Sequence, residues 1–230
     1  MKIEVSDLMP PVSVVIRPMA RKISLRLDHA VREAQLILPH RRYLRQGRKL
    51  LHQKSEWLSQ QWLSLPPALP FIPDRHILLC GQKVLLVFEQ GRGSYRRSND
   101  ALVVPALREE LFASRVRRAL IALARQRLEE CVALYAKRID VTYGKITMRD
   151  TKSRWGSCSA AGNLNFSWRL ICAPDFVLSY VAAHEVVHIR EANHGQEFWE
   201  EVRRCFGDPA PARKYLRTYA PKLFAVGVKQ

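Results

Sequence analysis

Residues 184–194 read HEVVHIREANH and hold three of the chain's seven histidines. His184 and His188 are four residues apart. On a helix that spacing puts both imidazoles on one face, about one turn apart, where they can share a metal ion. Glu185 lies beside that face and can reach a metal-held water without taking a coordination position. The stretch thus offers two Zn2+ ligands and a general base. The bland reading is an amphipathic helix whose histidines are hydrogen-bonded in a core.

Two ligands hold zinc weakly, so a third is required. His194 is the best candidate, with Glu191 and Glu197 as competitors. On an unbroken helix six residues turn through about 600°, which would carry His194 off the ligand face. The helix must therefore stop before it. Asn193 and Gly195 both tolerate the left-handed conformation that closes helices, so the expected turn is at Asn193. Glu191 would share the ligand face only if the helix ran on.

Around this motif the chain reads as helical from about Pro174, and again over 196–206 and 209–220. Upstream, residues 106–138 carry apolar side chains at helical spacing (Leu107, Leu111, Val116, Leu120, Leu123, Leu128, Val132, Tyr135) with no Gly or Pro, which predicts one long helix. Between them, "KITMRD" and "LNFSWRLI" flank a turn-rich segment and read as a two-stranded hairpin.

The first forty residues alternate apolar and polar positions in "VSVVIRP", "KISLRLD" and "EAQLILP", as strands do. Residues 40–65 then switch to helical spacing, with a basic stripe of Arg41, Arg45, Arg48 and Lys49; such a stripe is more often a solvated face than a binding site. "PPALPFIPD" at 66–74 reads as a semi-rigid connector, and short strands follow at "HILLC", "KVLLVFE" and "ALVVP". The fold class is therefore α+β. Residues 1–105 are expected to form a mostly antiparallel β-rich module with one helix, and 106–230 the domain that carries the motif.

Lysine and arginine total 38 against 21 acidic residues, a net charge of +17. The excess is spread over both halves and would attract nucleic acid, nucleotides or acidic proteins. Five scattered cysteines without a CxxC pair argue against a disulfide framework and for reduced thiols. No run is apolar enough to span a membrane, and the opening residues lack a secretory pattern, so a cytoplasmic protein without a membrane partner is expected.

Further residues carry a resemblance. Arg154-Trp155-Gly156-Ser157-Cys158, Asn165-Phe166-Ser167-Trp168-Arg169-Leu170, Tyr180-Val181, HEVVH, Asn193-His194-Gly195 and Phe198-Trp199 together resemble the YgjP-like metallopeptidases, zincin-type proteins distantly similar to the SprT-like and WLM groups. Val186 stands where Leu is commoner in that family, and Gly195 where Ser is usual. The resemblance implies zinc ligands at His184, His188 and His194, catalytic Glu185, a zincin-like domain over 106–230 and a polypeptide substrate. It also implies that the RWGSC segment borders the cleft, where an edge strand can bind an extended peptide. The tryptophans and Phe198 read more simply as packing around the active helix, and Tyr180 as either an oxyanion donor or packing. Some family members are assigned pyrophosphohydrolase activity on UTP, which makes a nucleotide hydrolase the alternative. A zinc-stabilised module that associates with nucleic acid is a third possibility.

Overall fold

The computed structural model describes residues 11–28, 33–151 and 154–228. The chain divides into two compact units, residues 1–67 and 68–230.

In the first unit, β1 (Val12–Ile16), β2 (Ser24–Asp28) and β3 (Glu33–Leu38) form a sheet of order β1-β3-β2. Val12 and Val14 of β1 and Ala34, Leu36 and Leu38 of β3 are buried at period two, the spacing of a sheet with one covered face. The cover is α1 (Leu44–Gln53) and α2 (Ser55–Leu63), which contribute Leu51 and Leu58 to the same small core. Gly47 sits inside α1 because a Cβ there would stand 2.8 Å from a Leu38 methyl and 3.0 Å from a Leu36 methyl. A glycine's helix penalty of about 1 kcal/mol is accepted for that close approach. The single helix expected over 40–65 is two. Lys54 leaves helical geometry at φ −108°, ψ 9°, and the Ser55 hydroxyl donates to the His52 carbonyl at 2.8 Å, competing for the backbone at the break.

In the second unit, β4 (His76–Leu79), β5 (Gln82–Gln90), β6 (Arg96–Arg97) and β7 (Ala101–Ala106) form a sheet of order β4-β5-β7-β6. Its inward residues Ile77, Leu79, Val84, Leu86, Leu102 and Val104 belong to one core with those of the long helix α3 (Phe112–Ile139). That shared core places these strands with the helices that follow, so the units meet at 67/68 and not at 105/106. The long helix begins at Phe112, six residues later than its apolar spacing suggests, because Arg108 is extended and Glu109–Leu111 form a 3-10 turn. It ends at Asp140, which adopts the left-handed conformation at φ 53°.

Next come β8 (Ile146–Arg149), β9 (Gly156–Cys158) and β10 (Leu164–Ser167), in the order β8-β10-β9. The two segments read as a hairpin are in fact parallel neighbours, and β9, drawn from RWGSC, is the antiparallel partner of β10. The same correction applies to the expected antiparallel module. β1 runs parallel to β3 and β5 parallel to β7, so both earlier sheets are mixed. All three sheets share one connectivity: a strand, then a hairpin whose second arm inserts beside it. Alternation along a strand reports burial, and is silent on the direction of its neighbour.

The chain closes with α4 (Asp175–Val187), α5 (Gln196–Phe206) and α6 (Ala210–Phe224). Helix α4 is buried over most of its surface, which explains why its positions from Val177 to Val187 are mostly apolar. The five cysteines are unpaired. Among the described residues, no helix is long and apolar enough to cross a membrane.

Candidate metal centre

His184 lies in the last turn of α4, and His188 caps its C-terminus. The helix stops there, five residues before the expected turn. It unwinds through tight turns, with Ile189 N donating to Val186 O at 3.1 Å and Arg190 N to Val187 O at 3.0 Å. Neither Asn193 nor Gly195 takes the left-handed conformation. Instead Gly195 N donates to Asn193 O at 2.8 Å, a three-residue turn that reverses the chain at His194.

This path brings the three imidazoles together. His194 Nε2 lies 3.0 Å from His184 Nε2 and 3.2 Å from His188 Nε2. Ligand atoms sharing one zinc at about 2.0–2.1 Å in tetrahedral geometry stand about 3.3 Å apart, so the spacing fits that donor set. His188 Nδ1 is 2.9 Å from the carbonyl of Glu191, which can only accept a hydrogen bond. The proton is thereby fixed on Nδ1, and the lone pair on Nε2 faces the other two rings. Tyr180 OH stands 3.4 Å from His184 Nδ1, on the side away from the converging nitrogens. From that position the hydroxyl orients the ring.

Beneath the cluster lies Phe198, fully buried, its ring centroid 4.9, 4.5 and 4.8 Å from those of His184, His188 and His194. Its packing fixes all three rings at once. Trp199 stacks against His194 at 5.8 Å, and the Arg213 guanidinium lies 4.5 Å over the indole. Burial pushes His184 down to about 3, with help from His188, His194 and Arg213. His188 is also lowered, chiefly by burial, while its bond to the Glu191 carbonyl acts in the opposite direction. Neutral imidazoles are the form that ligates a cation. The competitors do not join: among the described residues, the one group of three or more potential ligands is His184, His188 and His194, whose ligand atoms lie within 4.8 Å of one another. Glu191 and Glu197 line an open hollow on the loop instead.

Glu185 is 5 % exposed, and burial raises its carboxyl to about 7. Its neighbour is Gly156 of β9. A Cβ there would stand 2.5 Å from Oε1, 2.6 Å from Cγ and 2.7 Å from Cδ of Glu185. The glycine in RWGSC therefore leaves the room that this carboxyl fills, a role that sequence reading missed. A glycine inside a strand marks close approach of another group, but this segment reads as turn-rich and its three-residue strand is seen only in the structure. Arg213 was also missed, since nothing in its local sequence ties it to a motif fourteen residues or more away. Trp155 stacks on Phe224 at 4.5 Å, and Trp168 is buried near Phe71, so both pack as expected.

A HExxH helix followed by a third converging histidine defines a class, the metal-dependent hydrolases built on that helix. Within it the chain belongs to the YgjP-like family: the family model described as "YgjP-like, metallopeptidase domain" matches residues 21–219. The match spans most of both units. Among solved structures, the chain is similar to the metallopeptidase zymogen abylysin of Pyrococcus abyssi at 19% identity, over 42% of this chain and 94% of that one, with a TM-score of 0.37. It is also similar to the zymogen jannalysin of Methanocaldococcus jannaschii at 20% identity, over 40% of this chain and 88% of that one, with a TM-score of 0.35. No curated protein matches the chain.

Proposed function

We propose that this chain is a zinc-dependent peptide hydrolase in which His184, His188 and His194 hold the metal and Glu185 is the catalytic base. The observation that carries the reading is the convergence of three Nε2 atoms at 3.0 and 3.2 Å spacing. Zinc in such a site polarises a carbonyl and brings the pKa of a coordinated water to about 7.

The chain's own residues supply the rest. Phe198 and the Glu191 carbonyl hold the imidazoles in place. Glu185 takes the proton of the attacking water and returns it to the leaving amine. Its carboxyl is kept in register by Gly156. The strand carrying that glycine is also suited to substrate. Ser167 N bonds to Trp155 O, and Ser159 N to Asn163 O. By the alternation of an antiparallel pair, Gly156 and Cys158 then turn their backbone groups away from β10, toward the free edge. An extended polypeptide can add to that edge beside Glu185.

Purified protein should contain about one zinc per chain, lost in His188→Ala. Glu185→Gln should keep the zinc and lose casein hydrolysis by about 100-fold or more; undiminished hydrolysis would remove Glu185 as the base. Pyrophosphate release from UTP by the wild type, abolished in His184→Ala, would transfer the site to nucleotide chemistry.

A further inference from the structure

Between Glu33 and Glu56 the chain carries six lysines and arginines and no acidic residue. The structure gives this segment a shape. The buried side of α1 is Gly47 and Leu51, pressed on β3. Every other position from Arg45 to Gln53 except Leu50 is exposed, and Arg45, Arg48 and Lys49 stand on that outer side, with Arg42 just before the helix. Spacings of three and four residues set Arg42, Arg45 and Lys49 along one line, with Arg48 beside Arg45 and one turn before His52. The Arg42 guanidinium also lies 5.0 Å over the Tyr43 ring, which props it at the head of the row. A solvated helix face normally mixes both signs of charge. This one holds cations only.

We propose that this face of α1 docks on the phosphate backbone of a nucleic acid. Four charges spaced along about 10 Å of helix match the spacing of backbone phosphates better than a compact ligand. Three of the four are arginines, whose planar forks pair with phosphate oxygens in two places at once. An anionic membrane surface would also attract them, but a helix that lies on a membrane buries an apolar side in it. The apolar side of α1 is already used on β3. What remains outward is Arg45, Gln46, Arg48, Lys49, His52 and Gln53, which can sit on a charged backbone and has nothing to insert. The inference stands apart from the metal centre and needs no residue of it.

The test uses the full chain and a labelled 20-base-pair DNA duplex, titrated between about 50 and 200 mM salt. Four phosphate contacts predict a log–log slope of about −3.6. Arg45→Gln/Arg48→Gln/Lys49→Gln should bring the slope to about −1 and weaken binding at least tenfold at about 100 mM salt. A matched variant, Arg203→Gln/Lys214→Gln/Arg217→Gln, removes the same charge from exposed positions of α5 and α6; it should lose far less. Equal losses in both would reduce the effect to the net charge of +17 and overturn the assignment. So would unchanged binding in the α1 variant, or binding to vesicles with 30 % phosphatidylserine in place of the duplex. Unchanged thermal unfolding keeps the comparison valid, and Arg48→Gln alone, with an expected slope change of about 0.9, serves if the triple variant is unstable.

Discussion

Substituting Gly156 by alanine tests the link between β9 and the proposed base without replacing any of the three histidines or Glu185. The backbone there has no positive φ, so alanine meets no conformational strain. Its only conflict is space. The new Cβ would lie 2.5 Å from Oε1 and 2.6 Å from Cγ of Glu185, where ordinary contact begins near 3.4 Å. The carboxyl must retreat by roughly 0.9 Å, and since Cγ is also struck, rotating the carboxyl alone does not clear it. Glu185 is 5 % exposed and cannot swing into solvent. A displacement of that size at a proton-transferring group costs on the order of 100-fold in rate, while overpacking costs about 1–3 kcal/mol of stability. Gly156→Ala should therefore fold, retain about one zinc per chain and hydrolyse a quenched casein substrate on the order of 100-fold more slowly in kcat. Ser157→Ala, whose side chain is on the other face of β9, is the control and should change little. A Gly156→Ala rate within threefold of wild type would refute the reasoning. A large loss that tracks loss of zinc would also refute it, by moving the effect to the imidazoles.

Tyr180→Phe removes the hydroxyl 3.4 Å from His184 Nδ1; zinc retention against a chelator should fall about tenfold, with kcat at saturating zinc nearly unchanged. A collapse of kcat under saturation would put the hydroxyl on the substrate instead. Glu191→Ala should leave zinc affinity within about threefold, because position 191 acts through its carbonyl on His188 Nδ1; a hundredfold loss would restore the side chain as a ligand. Cys172 is fully buried, and burial pushes its thiol up from 9.0 to about 12. Between those values the unfolded chain releases a proton that the folded chain keeps, so stability falls as pH rises above about 9, by up to about 1.4 kcal/mol per pH unit. Chemical denaturation at pH 9.5 and 10.5 should show a shallower fall in Cys172→Ala, and equal slopes would exclude this thiol as a source.

The parts of the fold that the sequence displays are those that depend on near neighbours in the chain. Strands β1 to β3, the body of α3 and the bounds of α5 follow from periodicity and from Gly207 just past the last turn. The third histidine was legible because six residues after His188 can return to the site only if the helix stops. How it stops was not legible. The tight turns from Val186 to Arg190 use no Gly, Pro or Asn, and close with the His188 ring on the Glu191 carbonyl, a local bond that no helix-ending motif announces. Strand direction was hidden for a related reason. The apolar–polar alternation of β8 and β10 is the same whether they run parallel or antiparallel, and only the three-residue β9, too short to show a period, reveals that the hairpin lies elsewhere. The 67/68 division was obscured because β4 to β7 and α3 meet in a core assembled from distant segments.

The helix end explains why these local and distant features had to coincide. Four carbonyls at the end of an α-helix lack intrahelical partners, and the helix dipole adds partial negative charge there. By ending α4 at Val187, the chain places that partial charge next to the cluster of His184, His188 and His194, where it favours a bound cation. Had the helix run to Asn193, the dipole's negative end would lie more than a turn past His188, and Glu191 would compete on the ligand face. The early stop instead turns the Glu191 backbone inward to bind His188 Nδ1, leaves its side chain in the outer hollow, and releases His194 to approach within 3.2 Å. One backbone event thus brings the third imidazole into the cluster, fixes a tautomer and keeps the Glu191 carboxylate out. The glycine of β9 sets the fourth element, the buried carboxyl of Glu185, from the opposite side.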